Sequence, residues 1–105
     1  MKAAAAFLLL ALTTLSIEAA DLKNGKTVYD TKCKSCHGAD GTANPAIAKM
    51  FKVEMRDLSS PDVQALSDDQ IKKVITDGQG KMRPVKTVSG SMLDDVVAYV
   101  RSLKK

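Results

Sequence analysis

At 105 residues, 45% of them hydrophobic and 27% charged, the chain has room for one small domain with the composition of an ordinary folded protein. Disorder and a multidomain enzyme are both disfavoured by that balance. The formal net charge of +4 is modest, and with no aromatic platform or nucleic-acid motif beside it, it gives no ground for nucleic-acid binding.

The first segment, residues 1–20, reads MKAAAAFLLLALTTLSIEAA. One basic residue (Lys2), an uncharged apolar run from Ala3 to Ile17, and small residues Ala19 and Ala20 before the charge density rises at Asp21 make the pattern of a cleaved secretory signal peptide. The apolar run is shorter than the roughly 20 residues a membrane-spanning helix needs, so no stable membrane insertion is expected after cleavage. Cleavage after Ala20 places Glu18 three positions upstream, and cleavage after Ala19 places Ile17 there, where a small residue is preferred. The mature chain is expected to start near Asp21, and no cysteine adjoins the junction to take a lipid. The remaining domain, 21–105, is close to the size at which a single core barely suffices and small exported proteins add staples or a cofactor.

Along this domain, a first helix is predicted from about Leu22 to Cys33, with Leu22, Val28 and Tyr29 apolar. Gly25 weakens that helix and so marks a place where another helix approaches closely. Ser60 followed by Pro61 predicts a short helix over about Pro61 to Ala65. In LSDDQIKKVITDG, Ser67 and Gln70 have capping-box spacing, Ile71, Val74 and Ile75 form an apolar stripe, and Gly78 supplies the stop. The final segment, SMLDDVVAYVRSLKK, carries Leu93, Val96, Val97, Val100 and Leu103 at helical spacing, acidic early and basic late as the helix dipole favours, with Ser89 or Ser91 as the expected cap. No strand-like alternation and no internal repeat is present. The predicted class is therefore all-α, with two long loops, His37 to about Ala46 and GQGKMRPVKTV from Gly78 to Val88, that suggest a function or a buried group to pack against.

Both cysteines and the single histidine fall within TKCKSCHGADG, residues 31–41. Cys-x-x-Cys-His is the attachment pattern of a c-type haem. On this reading one haem c is bound covalently through Cys33 and Cys36, whose thiols add to its two vinyl groups. The neutral imidazole of His37 then donates a lone pair to the iron. Three other readings use the same residues. A thioredoxin-type redox pair would expect a surrounding β-α-β pattern, a structural zinc would find only Cys33, Cys36 and His37 as soft ligands, and a plain disulfide needs only an oxidising compartment. Export favours haem, because c-type attachment is completed outside the cytoplasm. The iron's sixth position leaves Met50, Met55, Met82 and Met92 as candidates. Met82 stands out: it lies in a polar, Gly-containing loop between two helices, where Lys81, Arg83 and Pro84 give no reason for a lone apolar side chain. The other three are expected to fill the core.

Taken together, NGKTVYDTKCKSCHGADG, GQGKMRP and LDDVVAYVRSL, in this order, resemble the class I c-type cytochromes, the small monohaem electron carriers of the bacterial periplasm and related compartments. The resemblance implies the small cytochrome c fold. Its N- and C-terminal helices pack across each other near Gly25 and Tyr29 on one side and Val96, Val97, Tyr99 and Val100 on the other, with haem in a crevice between helices and long loops. It also implies that Pro45 offers its carbonyl to the second ring nitrogen of His37, so that Cys33, Cys36, His37, Met82 and Pro45 form the cofactor site, with His37 and Met82 as iron ligands. The sequence departs from the family's commonest loop, since Arg83 stands between Met82 and Pro84, and it has no tryptophan near a propionate; Arg56, Arg83 and Lys52 are the basic residues left for that role.

An iron closed on both faces has no vacant position for substrate, so the expected function is a soluble one-electron carrier rather than an enzyme, with a comparatively high potential from the thioether ligand. The rival is a haem enzyme or gas sensor with Met82 off the iron, for which the loop offers no acid beyond Asp77; a subunit tied to one dehydrogenase is a further reading. Removing Lys2 and Glu18 with the leader leaves the charge at +4, and two propionates lower the ferrous form to about +2 by formal counting. A monomeric carrier in the periplasm, or in a thylakoid-type lumen, is expected to meet redox donors and acceptors through acidic docking surfaces on those partners. Lys32, Lys34, Lys49, Lys52, Lys81, Arg83 and Lys86 are the cations near the expected haem.

Overall fold

The computed structural model describes residues 20–105, so the expected leader, apart from Ala20, lies outside the described residues. Among the described residues six helices follow one another: α1 (Leu22–Lys32), α2 (Lys34–His37), α3 (Pro45–Phe51), α4 (Pro61–Gln64), α5 (Asp68–Asp77) and α6 (Ser91–Ser102). The described residues contain no strand beyond an isolated antiparallel bridge between Gln79 and Met82. The all-α expectation is met.

The helix ends follow from local chemistry. Asp21 caps α1, its carboxylate accepting from the Asn24 amide, and Ser67 and Gln70 close both halves of the capping box on α5. Asn44 and Ser60 cap α3 and α4, each followed by a proline at the first helical position, where the missing N–H costs nothing. The sequence reading missed α3, although Asn44–Pro45 carries the same signal as Ser60–Pro61. At α6 neither expected serine caps: Gly90 occupies the N-cap position, and no side chain bonds the first turn.

α1 and α6 make the most extensive contact between elements. At their crossing Gly25 is the enabling residue, because a Cβ there would lie 2.1 Å from the Asp95 carbonyl oxygen and 3.1 Å from the Tyr99 Cβ. One turn on, the Tyr29 and Tyr99 rings meet with centroids 5.0 Å apart at a 54° tilt, a geometry that adds about 1 kcal/mol to what their burial contributes. The core beneath them holds Val28 and Tyr29 from α1, Ile71 and Ile75 from α5, Val88 from the second long loop, and Val96, Val97 and Val100 from α6. Arg101 fastens α6 to the α4–α5 junction, donating to the Gln64 carbonyl at 2.7 Å, to the Leu66 carbonyl and to the Asp68 carboxylate. The expectation that spare methionines fill the core fails for Met50 and Met92, which are 63% and 37% exposed, while Met55 is half-buried.

Candidate functional site

The chemistry-bearing motif starts where α1 ends. Cys33 is at once the C-cap of α1 and the N-cap of α2, its amide donating to the Tyr29 carbonyl at 2.8 Å. α2 is a single turn in which the amides of Cys36 and His37 both donate to the Cys33 carbonyl, at 3.2 and 3.0 Å. Residues three and four apart share one side of such a turn, so Cys33, Cys36 and His37 are brought together. Cys33 packs against the buried core. Burial, and then the neighbouring Cys36, push its thiol up to about 11, so it stays protonated at neutral pH. Both thiols are free.

His37 is pressed toward its neutral form, because burial holds its pKa below the ordinary imidazole value. Its Nδ1 is buried without a hydrogen-bond partner. The expected bond from this nitrogen to the Pro45 carbonyl is therefore not formed. Pro45 is the first residue of α3, and carbonyls at that position point along the helix into its own ladder.

The loop after His37 is instead pinned by two residues whose roles the sequence reading did not foresee. The Tyr29 hydroxyl, carried on a side chain with no exposed surface, donates to the Gly38 carbonyl at 2.6 Å. Burial raises the phenol's pKa, which keeps it a proton donor. Asn44 donates from its amide to the Cys36 carbonyl at 2.8 Å and from Nδ2 to the Ser35 carbonyl at 3.2 Å, while its Oδ1 accepts from the Ala46 amide. Beside it Ala43, at φ 76°, donates to the His37 carbonyl at 2.8 Å; a non-glycine residue in that region costs about 1 kcal/mol. Capping preference pointed to Asn44, whereas nothing in the sequence separated the Tyr29 hydroxyl from its apolar ring.

Met82 belongs to the second long loop and is fixed by the Gln79 bridge, with reciprocal amide-to-carbonyl bonds of 2.9 and 3.0 Å. The loop folds back on Gly78, where a Cβ would meet the Met82 carbonyl oxygen at 2.6 Å and the Pro84 ring at 2.8 Å, and whose φ of 77° is itself unfavourable for other residues. Val85 then donates to the Ile75 carbonyl at 2.8 Å, tying the loop to α5. Partly buried, Met82 packs against the same core cluster as Cys33. Arg56, by contrast, lines a surface cavity of about 440 Å³ together with Glu54, Asp57 and Asp62, whose negative charge works against a propionate there.

These donors suit haem c. Two free thiols and an imidazole held neutral share one turn, and a thioether packs against the same core. The buried Nδ1 has no partner, so no hydrogen bond from that nitrogen fixes the imidazole within the protein. The competing readings fare worse. Among the described residues no three His, Cys, Asp or Glu side chains are arranged to hold a metal ion, no disulfide joins Cys33 to Cys36, and no strand supplies a thioredoxin framework. No described helix is long and apolar enough to cross a membrane.

Comparisons with known proteins bear on the chain as a whole. Residues 20–100 match the family profile described as cytochrome c oxidase, cbb3-type, subunit III. The chain is 33% identical over 100 residues to cytochrome c-555 of Prosthecochloris aestuarii, an alignment covering 86% of this chain and 95% of that protein. Among solved structures it is similar to the KustC0563 c-type cytochrome, at 30% identity and a TM-score of 0.65, covering 77% of this chain and 98% of the other.

Proposed function

Since the chain belongs to the cytochrome c family, whose members are haem-bearing electron-transfer proteins, we propose that it is an exported monohaem carrier with haem c attached through Cys33 and Cys36 and iron ligated by His37 and Met82. The observation that carries the ligand assignment is that Met82 packs against the same core cluster as Cys33, the residue that opens the His37 turn. When bound, haem c supplies an iron centre that takes up and gives away one electron. The chain's own residues hold that centre still. His37 presents a neutral imidazole on a turn locked by Tyr29 and Asn44, and Met82 presents a thioether from a loop locked by Gly78 and Gln79. Two anchored ligands leave little to rearrange when the charge changes, which suits fast transfer and leaves no open position for substrate. The near-complete span of cytochrome c-555, a small protein in its own right, favours a free carrier over a subunit of a larger enzyme.

Export to the periplasm, or to a thylakoid-type lumen, rests on the leader pattern of residues 1–20. Lys32, Lys34, Lys49, Lys52, Lys81, Arg83 and Lys86 are all exposed, which supports acidic docking surfaces on the donor and acceptor proteins.

Absorption spectra of the exported protein test the ligation. The ferric form is expected to show the weak far-red sulfur-to-iron band, and carbon monoxide is expected to leave the ferrous spectrum unchanged. Met82→Ala should keep covalent haem, lose the band and bind carbon monoxide, while Cys33→Ala or Cys36→Ala should impair attachment. A Met82→Ala protein with the parent spectrum rejects Met82 as ligand, and carbon monoxide binding by the parent moves the enzyme or sensor reading ahead.

A further inference from the structure

Asp95 is a buried acid in want of a cation. It sits at the α1–α6 crossing with only 8% of its surface exposed, its backbone carbonyl against Gly25. Its Oδ1 accepts from the backbone nitrogen of Asp21 at 2.8 Å and its Oδ2 from Asn24 Nδ2 at 2.7 Å. The ion pairs among the described residues, Lys26–Asp30, Lys72–Asp94 and Arg101–Asp68, all leave it out. A carboxylate withdrawn from water with two neutral donors is poorly compensated, because burial of a charge is offset well only by an opposite charge in hydrogen-bonding contact. The atom on Oδ1 is the backbone nitrogen of the residue at which the mature chain is expected to begin.

We propose that the leader is removed between Ala20 and Asp21, and that the α-ammonium group so released forms a buried-edge ion pair with Asp95 that clasps the start of α1 to α6. This rests on the export reading. In the cut, a signal peptidase directs water onto the Ala20 carbonyl. The C–N bond breaks, the water oxygen stays with Ala20 as carboxylate, and the Asp21 nitrogen takes up protons to become an ammonium group. In place of a neutral amide, a positive charge then stands 2.8 Å from Oδ1. Asp21 is itself exposed, so the additional protons are open to water. Charge-assisted bonds of this kind are about twice as strong as neutral ones, and the same cut one residue earlier leaves the neutral amide in place. The structure thereby separates two cleavage sites between which the leader's own small residues do not decide.

The test uses the exported holo-protein. Mass spectrometry of its N-terminal peptide is expected to show a start at Asp21. Acylation of that α-amine at neutral pH, read on the same peptide, is expected to run about tenfold slower in the folded protein than in the denatured chain, as a clasped ammonium requires. In Asp95→Asn most of that protection should vanish. A start at any other residue, or equal acylation of folded and denatured parent chains, overturns the clasp while leaving export and haem ligation standing. Protein recovered only inside the cell, with Met1 still in place, instead overturns the export reading itself. The parent comparison alone decides the matter if Asp95→Asn does not fold.

Discussion

At residue 25 a single methyl group decides whether two helices can touch. Gly25→Ala gains about 1 kcal/mol of helix propensity but drives a Cβ to within 2.1 Å of the Asp95 carbonyl oxygen, with backbone on both sides and no flexible side chain to yield. Overpacking of this kind costs about 3 kcal/mol, so the variant should be net destabilised by about 2 kcal/mol, read as a lower denaturant midpoint of the holo-protein; an unchanged midpoint rejects the close crossing. Gly25 was legible in the sequence because a glycine inside a helix needs a reason. The hydroxyl of Tyr29 was not, since a tyrosine on an apolar stripe looks the same whether or not its oxygen holds the loop beyond His37. Tyr29→Phe, which keeps the ring, should cost about 1 kcal/mol by the same measurement, because the Gly38 carbonyl loses its donor.

The elements show which sequence signals carry weight in so small a domain. α1, α4, α5 and α6 were readable from caps, stripes and stops, and Ser67 is the plainest case, with both halves of its box made. Ser67→Ala should lower stability by about 1 kcal/mol, since α5 delivers Ile71 and Ile75 to the core; thermal denaturation of the two holo-proteins would show it. α3 went unread because its apolar residues, Ala46, Ile47, Ala48, Met50 and Phe51, give no one-sided stripe and none is buried. Its cap was the better guide. The turn that gathers Cys33, Cys36 and His37 was legible because their spacing is local. The Pro45 contact was not, because it depends on which way a helix-initiating carbonyl points.

Over the whole molecule the excess of base should be felt at a distance. Raising ionic strength from about 0.01 to about 0.15 M shortens the screening length from about 30 to about 8 Å, and stopped-flow electron transfer to an acidic protein partner should slow several-fold across that range; a rate flat in salt rejects the acidic docking surface. The pairing of α1 with α6 also sets an order in time. The first helix of the described fold finds its main partner in the last, so closure of that contact waits for residues near the C-terminus. Until those residues have been made, Tyr29 and Gly25 have nothing to close on, and the turn bearing Cys33, Cys36 and His37 stands on an unshielded helix. Under the proposed attachment through Cys33 and Cys36, the architecture thus provides an interval in which the thiols are open to reaction, and ends that interval by finishing the chain.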